Sequence, residues 1–159
     1  MPGEEYVTIL VESLQKKNKI LDAIRAANEE QKILLADEML GPDDFEKTID
    51  KKAALIDELN KLDVGFEQIY EKVRPEIEQH MDKYAEQIRE MQDMIRQIVE
   101  KTMSAQAEEA RNKQLIEAKF SSVKKQIREV KSSQKAVNTY YQNMMKSNYL
   151  DSQFLDRKK

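Results

Sequence analysis

Residues 76–99 read EIEQHMDKYAEQIREMQDMIRQIV, and the apolar members Ile77, Met81, Tyr84, Ile88, Met91, Ile95 and Ile98 recur three and four residues apart. That interval returns a side chain to the same side of an α-helix, whereas a half-buried strand would alternate. The phase continues through Thr102, Ala105, Glu109, Asn112 and Ile116, then Phe120, Val123, Ile127, Val130, Val137, Tyr141 and Met144. No glycine or proline interrupts it between Glu76 and Lys159. Long amphipathic helices packed side by side satisfy such a pattern.

Upstream, Val7, Leu10, Leu14, Leu21, Ile24 and Leu35 form another stripe, widened by Ile9, Ile20 and Leu34. Lys17, Asn28 and Gln31 fall on the same stripe, so its middle is either wet or fixes register. Gly41-Pro42-Asp43-Asp44 predicts a boundary: glycine closes one helix, proline cannot continue it, and Asp43 caps the next, with Glu46 completing a capping-box-like pair. The second stripe is Phe45, Ile49, Leu55, Leu59, Leu62, Phe66, Ile69 and Val73, with Thr48 and Lys52 as polar exceptions. Gly65 lies inside it and costs about 1 kcal/mol relative to alanine. Arg74-Pro75 predicts a turn, because the residue before a proline is pushed away from helical geometry.

The expected fold is all-α, an elongated up-down antiparallel bundle of three to four long helices. Helices are expected over about 5–40, 43–74 and 76–146, in one unit spanning 1–146 with a tail at 147–159. The third stretch is either one helix of about 70 residues, roughly 105 Å long, or two joined near 102–106. Its stripe turns small and polar between Ser104 and Asn112, and a bend or break is expected in that region. Asn112, Ile116 and Phe120 make two successive steps of four, a stutter that relaxes a supercoil.

Composition narrows the function. Three glycines, three prolines and 36% charged residues suit helices, and the lack of cysteine removes disulfides and thiolate metal sites. No apolar run approaches the roughly 20 residues that span a bilayer, and the start is acidic where a signal peptide would be basic. A cytoplasmic protein without membrane insertion is expected. Net charge is −3, yet residues 111–159 hold twelve Lys/Arg against four Asp/Glu, leaving +8 there and −11 elsewhere. Complementarity within a bundle accounts for this better than a nucleic-acid surface on Lys113, Lys119, Lys124, Lys125, Arg128, Lys131 and Lys135, since the neighbouring acidic faces would repel phosphate. No nucleic-acid partner is expected.

Catalysis finds no foothold. A di-iron bundle needs Glu-x-x-His pairs, but the residue three before the single His80 is Ile77. The glycines are far apart and begin no phosphate loop. Neither catalytic residue, metal nor cofactor is assigned. Tyr140, Tyr141, Met144, Met145, Tyr149, Leu150, Phe154 and Leu155 crowd the last twenty residues with adaptable thioethers and large aromatic rings. Either they fold back over the bundle's end or they receive an amphipathic helix from another protein.

Three segments, 7–14 (VTILVESL), 51–66 (KKAALIDELNKLDVGF) and 149–159 (YLDSQFLDRKK) with its Phe-x-Asp-basic ending, resemble the FlgN family of flagellar export chaperones. The resemblance implies a cytoplasmic helical protein that binds hook-filament junction subunits, the flagellar hook-associated proteins, and shields their terminal amphipathic helices before type III secretion. It assigns the client-holding surface to the eight C-terminal residues just named. It leaves open docking on the export gate, a different client such as the filament cap, and a monomer or weak dimer. The rival reading is a structural or adaptor coiled coil, against which the polar layers at Lys17, Asn28, Gln31 and Ser104 to Asn112 argue.

Overall fold

The computed structural model describes residues 2–39, 42–119 and 124–146. These form four helices, α1 (Pro2–Leu35), α2 (Pro42–Gln79), α3 (Ala85–Lys119) and α4 (Lys124–Lys146), with no strand among the described residues. The fold is an all-α helical bundle, as the 3.6-residue period requires.

Helix α1 packs on α2 and α3, and α4 packs on α3 and α2, so the order around the bundle is α1, α2, α4, α3. Cross-helix bonds fix the directions. Lys17 meets Asp63 and Gln31 meets Thr48, so α1 and α2 run antiparallel. Gln106 meets Asn138 and Ser133 meets Glu109, so α3 and α4 do too. Helices α1 and α3 run the same way, their bonded partners lying 79 to 84 positions apart along the chain, as in Asn18–Gln97, Gln31–Asn112, Arg25–Glu108 and Asn28–Asn112. Two hairpins therefore lie side by side in the same sense, and the α2–α3 turn crosses between diagonal corners.

That turn differs from the sequence expectation. Helix α2 runs through Pro75 to Gln79 rather than ending near residue 74. Proline removes one backbone donor and crowds the carbonyl four residues back; both Pro75 and Glu71 are exposed, so water can satisfy that carbonyl. On the opposite face Tyr70, Val73 and Ile77 are buried and hold the helix against its neighbours. The chain turns at residues 80–84, where Lys83 N–H donates to the His80 carbonyl and the buried Tyr84 hydroxyl donates to Glu76 Oε2 at 3.0 Å.

Two other boundaries move. Helix α1 stops at Leu35 rather than near residue 40: Ala36 N–H is shared between the carbonyls of Lys32 and Ile33, and Asp37 Oδ1 accepts the Met39 N–H at 2.9 Å, a local bond that competes with the helix. Helix α2 begins at Pro42, so Asp43 stands in the first turn beside Asp44 and favours the helix N-terminus by charge instead of capping it. The expected break near 102–106 is absent. Helix α3 continues to Lys119 and α4 starts at Lys124; Phe120, the last member of the expected stutter, lies outside the described residues.

Two apolar clusters fill the bundle. The larger runs from Val7 and Tyr84 through Leu14, Phe66, Ile95 and Ala105 to Val137, Tyr140 and Met144. The smaller contains Leu35, Phe45, Ile49, Ile116 and Val130 at the end remote from the α2–α3 turn. A polar layer lies between them.

Candidate functional site

The polar residues that interrupt the stripes converge in that layer. Lys52 of α2 pairs with Glu109 of α3 across the bundle's diagonal, and its ammonium also donates to Gln31 Oε1 at 3.2 Å. Gln31 Nε2 donates to Thr48 Oγ1 at 3.0 Å, Asn112 Nδ2 to Gln31 Oε1 at 3.0 Å, and Ser133 Oγ to Glu109 Oε1 at 3.2 Å. Every helix thus contributes to the layer. Burial pulls the Lys52 ammonium below its ordinary pKa of 10.5, with the Glu109 charge opposing the shift. The small, polar Thr102–Asn112 segment is the buried face of a continuous helix: Thr102 bonds back to the Ile98 carbonyl at 2.7 Å, and Asn112 reaches the Asn28 carbonyl at 3.0 Å.

A second ionic contact sits inside the larger cluster. Lys17 is fully buried, donates to Asp63 at 2.5 Å and lies 5.5 Å from the centroid of the Tyr140 ring. Burial lowers the Lys17 pKa from 10.5, and Asp63 counters it. Tyr140 therefore tethers α4 to α1 across the other diagonal.

The predicted C-terminal residues divide sharply. Tyr140 and Met144 are 3% and 1% exposed and belong to the bundle's own core, together with Val130 and Val137 on the same stripe of α4. Tyr141 is half-buried against the cluster, and Met145 points outward at 49% exposure. Tyr149, Leu150, Phe154 and Leu155 lie outside the described residues. Of the eight, only Tyr141 and Met145 are thus shown with accessible side chains.

An opening that the sequence did not announce separates α2 from α4. It measures about 650 Å³, with Ile49, Ala53, Ile56 and Ala136 supplying apolar surface and Asp50, Asp57, Arg128 and Glu129 the charged rim. Its cause is small side chains: Ala53, Ser132, Ser133 and Ala136 leave the space that bulkier residues fill elsewhere. Alanine and serine at these positions were the available signal, but their facing one another depends on the α2–α4 pairing. The groove has the length of two to three helical turns and an apolar base with a polar edge, which suits a peptide segment more than a compact polar metabolite.

Among the described residues no group of three or more His, Cys, Asp or Glu side chains is arranged to hold a metal ion, and no helix is long and apolar enough to cross a membrane. In a comparison with known families, the model described as FlgN protein matches residues 1–147. No curated protein and no solved structure matches.

Proposed function

The chain belongs to the FlgN family, a family of flagellar type III export chaperones, and on that premise we propose that it binds hook-filament junction subunits and shields their terminal amphipathic helices before secretion. The family match over residues 1–147 carries the reading. The work of such a chaperone is to cover an apolar stripe that would otherwise assemble prematurely, and to release it at export. Coupled ordering makes release feasible, because part of the contact energy is offset by the entropy lost on binding.

Tyr141 and Met145 begin the client surface, and Tyr149, Leu150, Phe154 and Leu155 extend it. Tyr140 and Met144 support it from beneath, fixing the helix from which the accessible residues project. The protein acts in the cytoplasm, as a monomer or weak dimer, without cofactor.

Calorimetric titration of the full chain with the terminal helices of a junction subunit tests the reading. Saturable one-to-one binding is expected, weakened by combined serine substitution at Met145, Leu150, Phe154 and Leu155. Binding of a filament-cap terminal helix in preference to the junction helix would reassign the client. Absence of binding to either would overturn the proposal.

A further inference from the structure

We propose that the α2–α4 groove seats the chain's own residues 147–159, with Phe154 and Leu155 over its apolar base and Arg157, Lys158 and Lys159 beside the acidic start of α2. The groove's apolar base is made by Ile49, Ala53, Ile56 and Ala136, and small side chains leave it open.

Reach sets which tail residues can lie there. At 1.5 Å rise per residue, the α4 wall of the groove, Arg128 to Ala136, lies roughly 15 to 27 Å back along the helix from Lys146. If two residues reverse the chain and the rest returns extended at about 3.3 Å each, Phe154 and Leu155 arrive about 20 to 23 Å back, in the middle of the groove. The same path carries Arg157 to Lys159 roughly 30 to 36 Å back, past Arg128. Tyr149 and Leu150, near the reversal, pass beside Met145.

Charge agrees with this register. Helices α2 and α4 run in the same direction, because α1 is antiparallel to α2 and parallel to α3, which is itself antiparallel to α4; Ile49 and Arg128 therefore line one end of the groove, and Ile56 and Ala136 lie further along it. The level beyond Arg128 is therefore the beginning of α2, where Asp43 and Asp44 are exposed, and Asp50 lies on the rim just inside it. The cationic end of the tail meets an acidic helix start, while two apolar side chains cover the groove's base. A segment tethered a few residues away also has an effective concentration on the order of millimolar, which favours it over a second copy of the chain at ordinary concentrations.

The absence of cysteine permits a direct test in the full-length chain. With cysteines at Asp50→Cys and Asp156→Cys, which this register brings to one level, mild oxidation is expected to give a disulfide within one molecule. Adding Phe154→Ser and Leu155→Ser should slow its formation about tenfold through loss of the docked population, while the circular dichroism of the bundle stays unchanged. High salt should slow it as well, by screening the basic triplet from α2. Equal rates with and without the two serines, or a disulfide formed only between molecules, would overturn the assignment. The docked tail is the client-free state, which Phe154 and Leu155 leave when they meet a client; no client is present in this experiment, so its failure leaves the chaperone reading untouched, and a failure of client binding leaves the docked tail untouched.

Discussion

Lys52 and Glu109 pair across the diagonal of the bundle with side chains 1% and 0% exposed, joining α2 to α3 through the interior. Removing two charges from water is costly, and their attraction repays it only while both are present. Lys52→Met alone should lower stability by about 3 kcal/mol or more, because it strands the Glu109 carboxylate. Lys52→Met with Glu109→Leu should recover most of that loss, and urea unfolding of the three variants provides the cycle.

Both buried lysines have folded pKa values below the 10.5 of an exposed lysine. Between the folded and unfolded values the unfolded chain binds more protons, so stability contributed by these groups rises with pH toward 10.5 and falls as pH is lowered through the folded values. The urea midpoint should therefore show an upward component on moving from neutral pH to about pH 10. That component should be smaller in the Lys52→Met, Glu109→Leu variant.

The two described glycines should respond oppositely to alanine. A Cβ at Gly65 meets nothing within 4 Å, so Gly65→Ala should stabilise α2 by about 1 kcal/mol through helix propensity. At Gly3 the Cβ would lie 2.6 Å from the Tyr84 hydroxyl oxygen and 2.9 Å from Glu76 Cγ. Gly3→Ala should break the Tyr84–Glu76 hydrogen bond and cost about 1 kcal/mol. Thermal unfolding compares them.

Helix α4 should separate stability from binding. Tyr140→Ala and Met144→Ala should each cost about 2 to 4 kcal/mol, since both side chains complete the core. Met145→Ser should stay within about 0.5 kcal/mol of the parent in stability yet weaken client binding. A truncation after Asn143 would confuse the two effects by deleting Met144.

Much of the fold was legible in the sequence because burial follows periodicity. Leu10, Leu14, Ile24, Phe45, Leu59, Phe66, Ile88 and Ile95 are all buried on the stripes that named them. The polar residues on those stripes are buried too: Asn28, Gln31, Thr48, Lys52, Glu109 and Asn112 bond to one another or to neighbouring backbone in one layer, and Lys17 pairs with Asp63 inside the larger cluster. Boundaries were harder to read. Pro75 suggests a stop that packing at Val73 and Ile77 overrides, and the small residues from Ser104 to Asn112 imitate a break because size alone does not say what lies opposite. The α2–α4 groove was hidden for the same reason: it arises from two distant segments whose adjacency is set by the diagonal crossing of the α2–α3 turn.

The polar layer also divides the molecule into unequal parts. Beyond it, Leu35, Phe45, Ile49, Ile116 and Val130 form a small cap with little apolar area to resist opening, while the long cluster on the other side carries most of the cohesion. The rod should fray from that cap inward, so the helix ends around Leu35, Phe45 and Val130 exchange their amide hydrogens well before Leu14 or Ile95. Unravelling would then halt at the Lys52–Glu109 pair, a latch that lets one tip breathe without loosening the shaft.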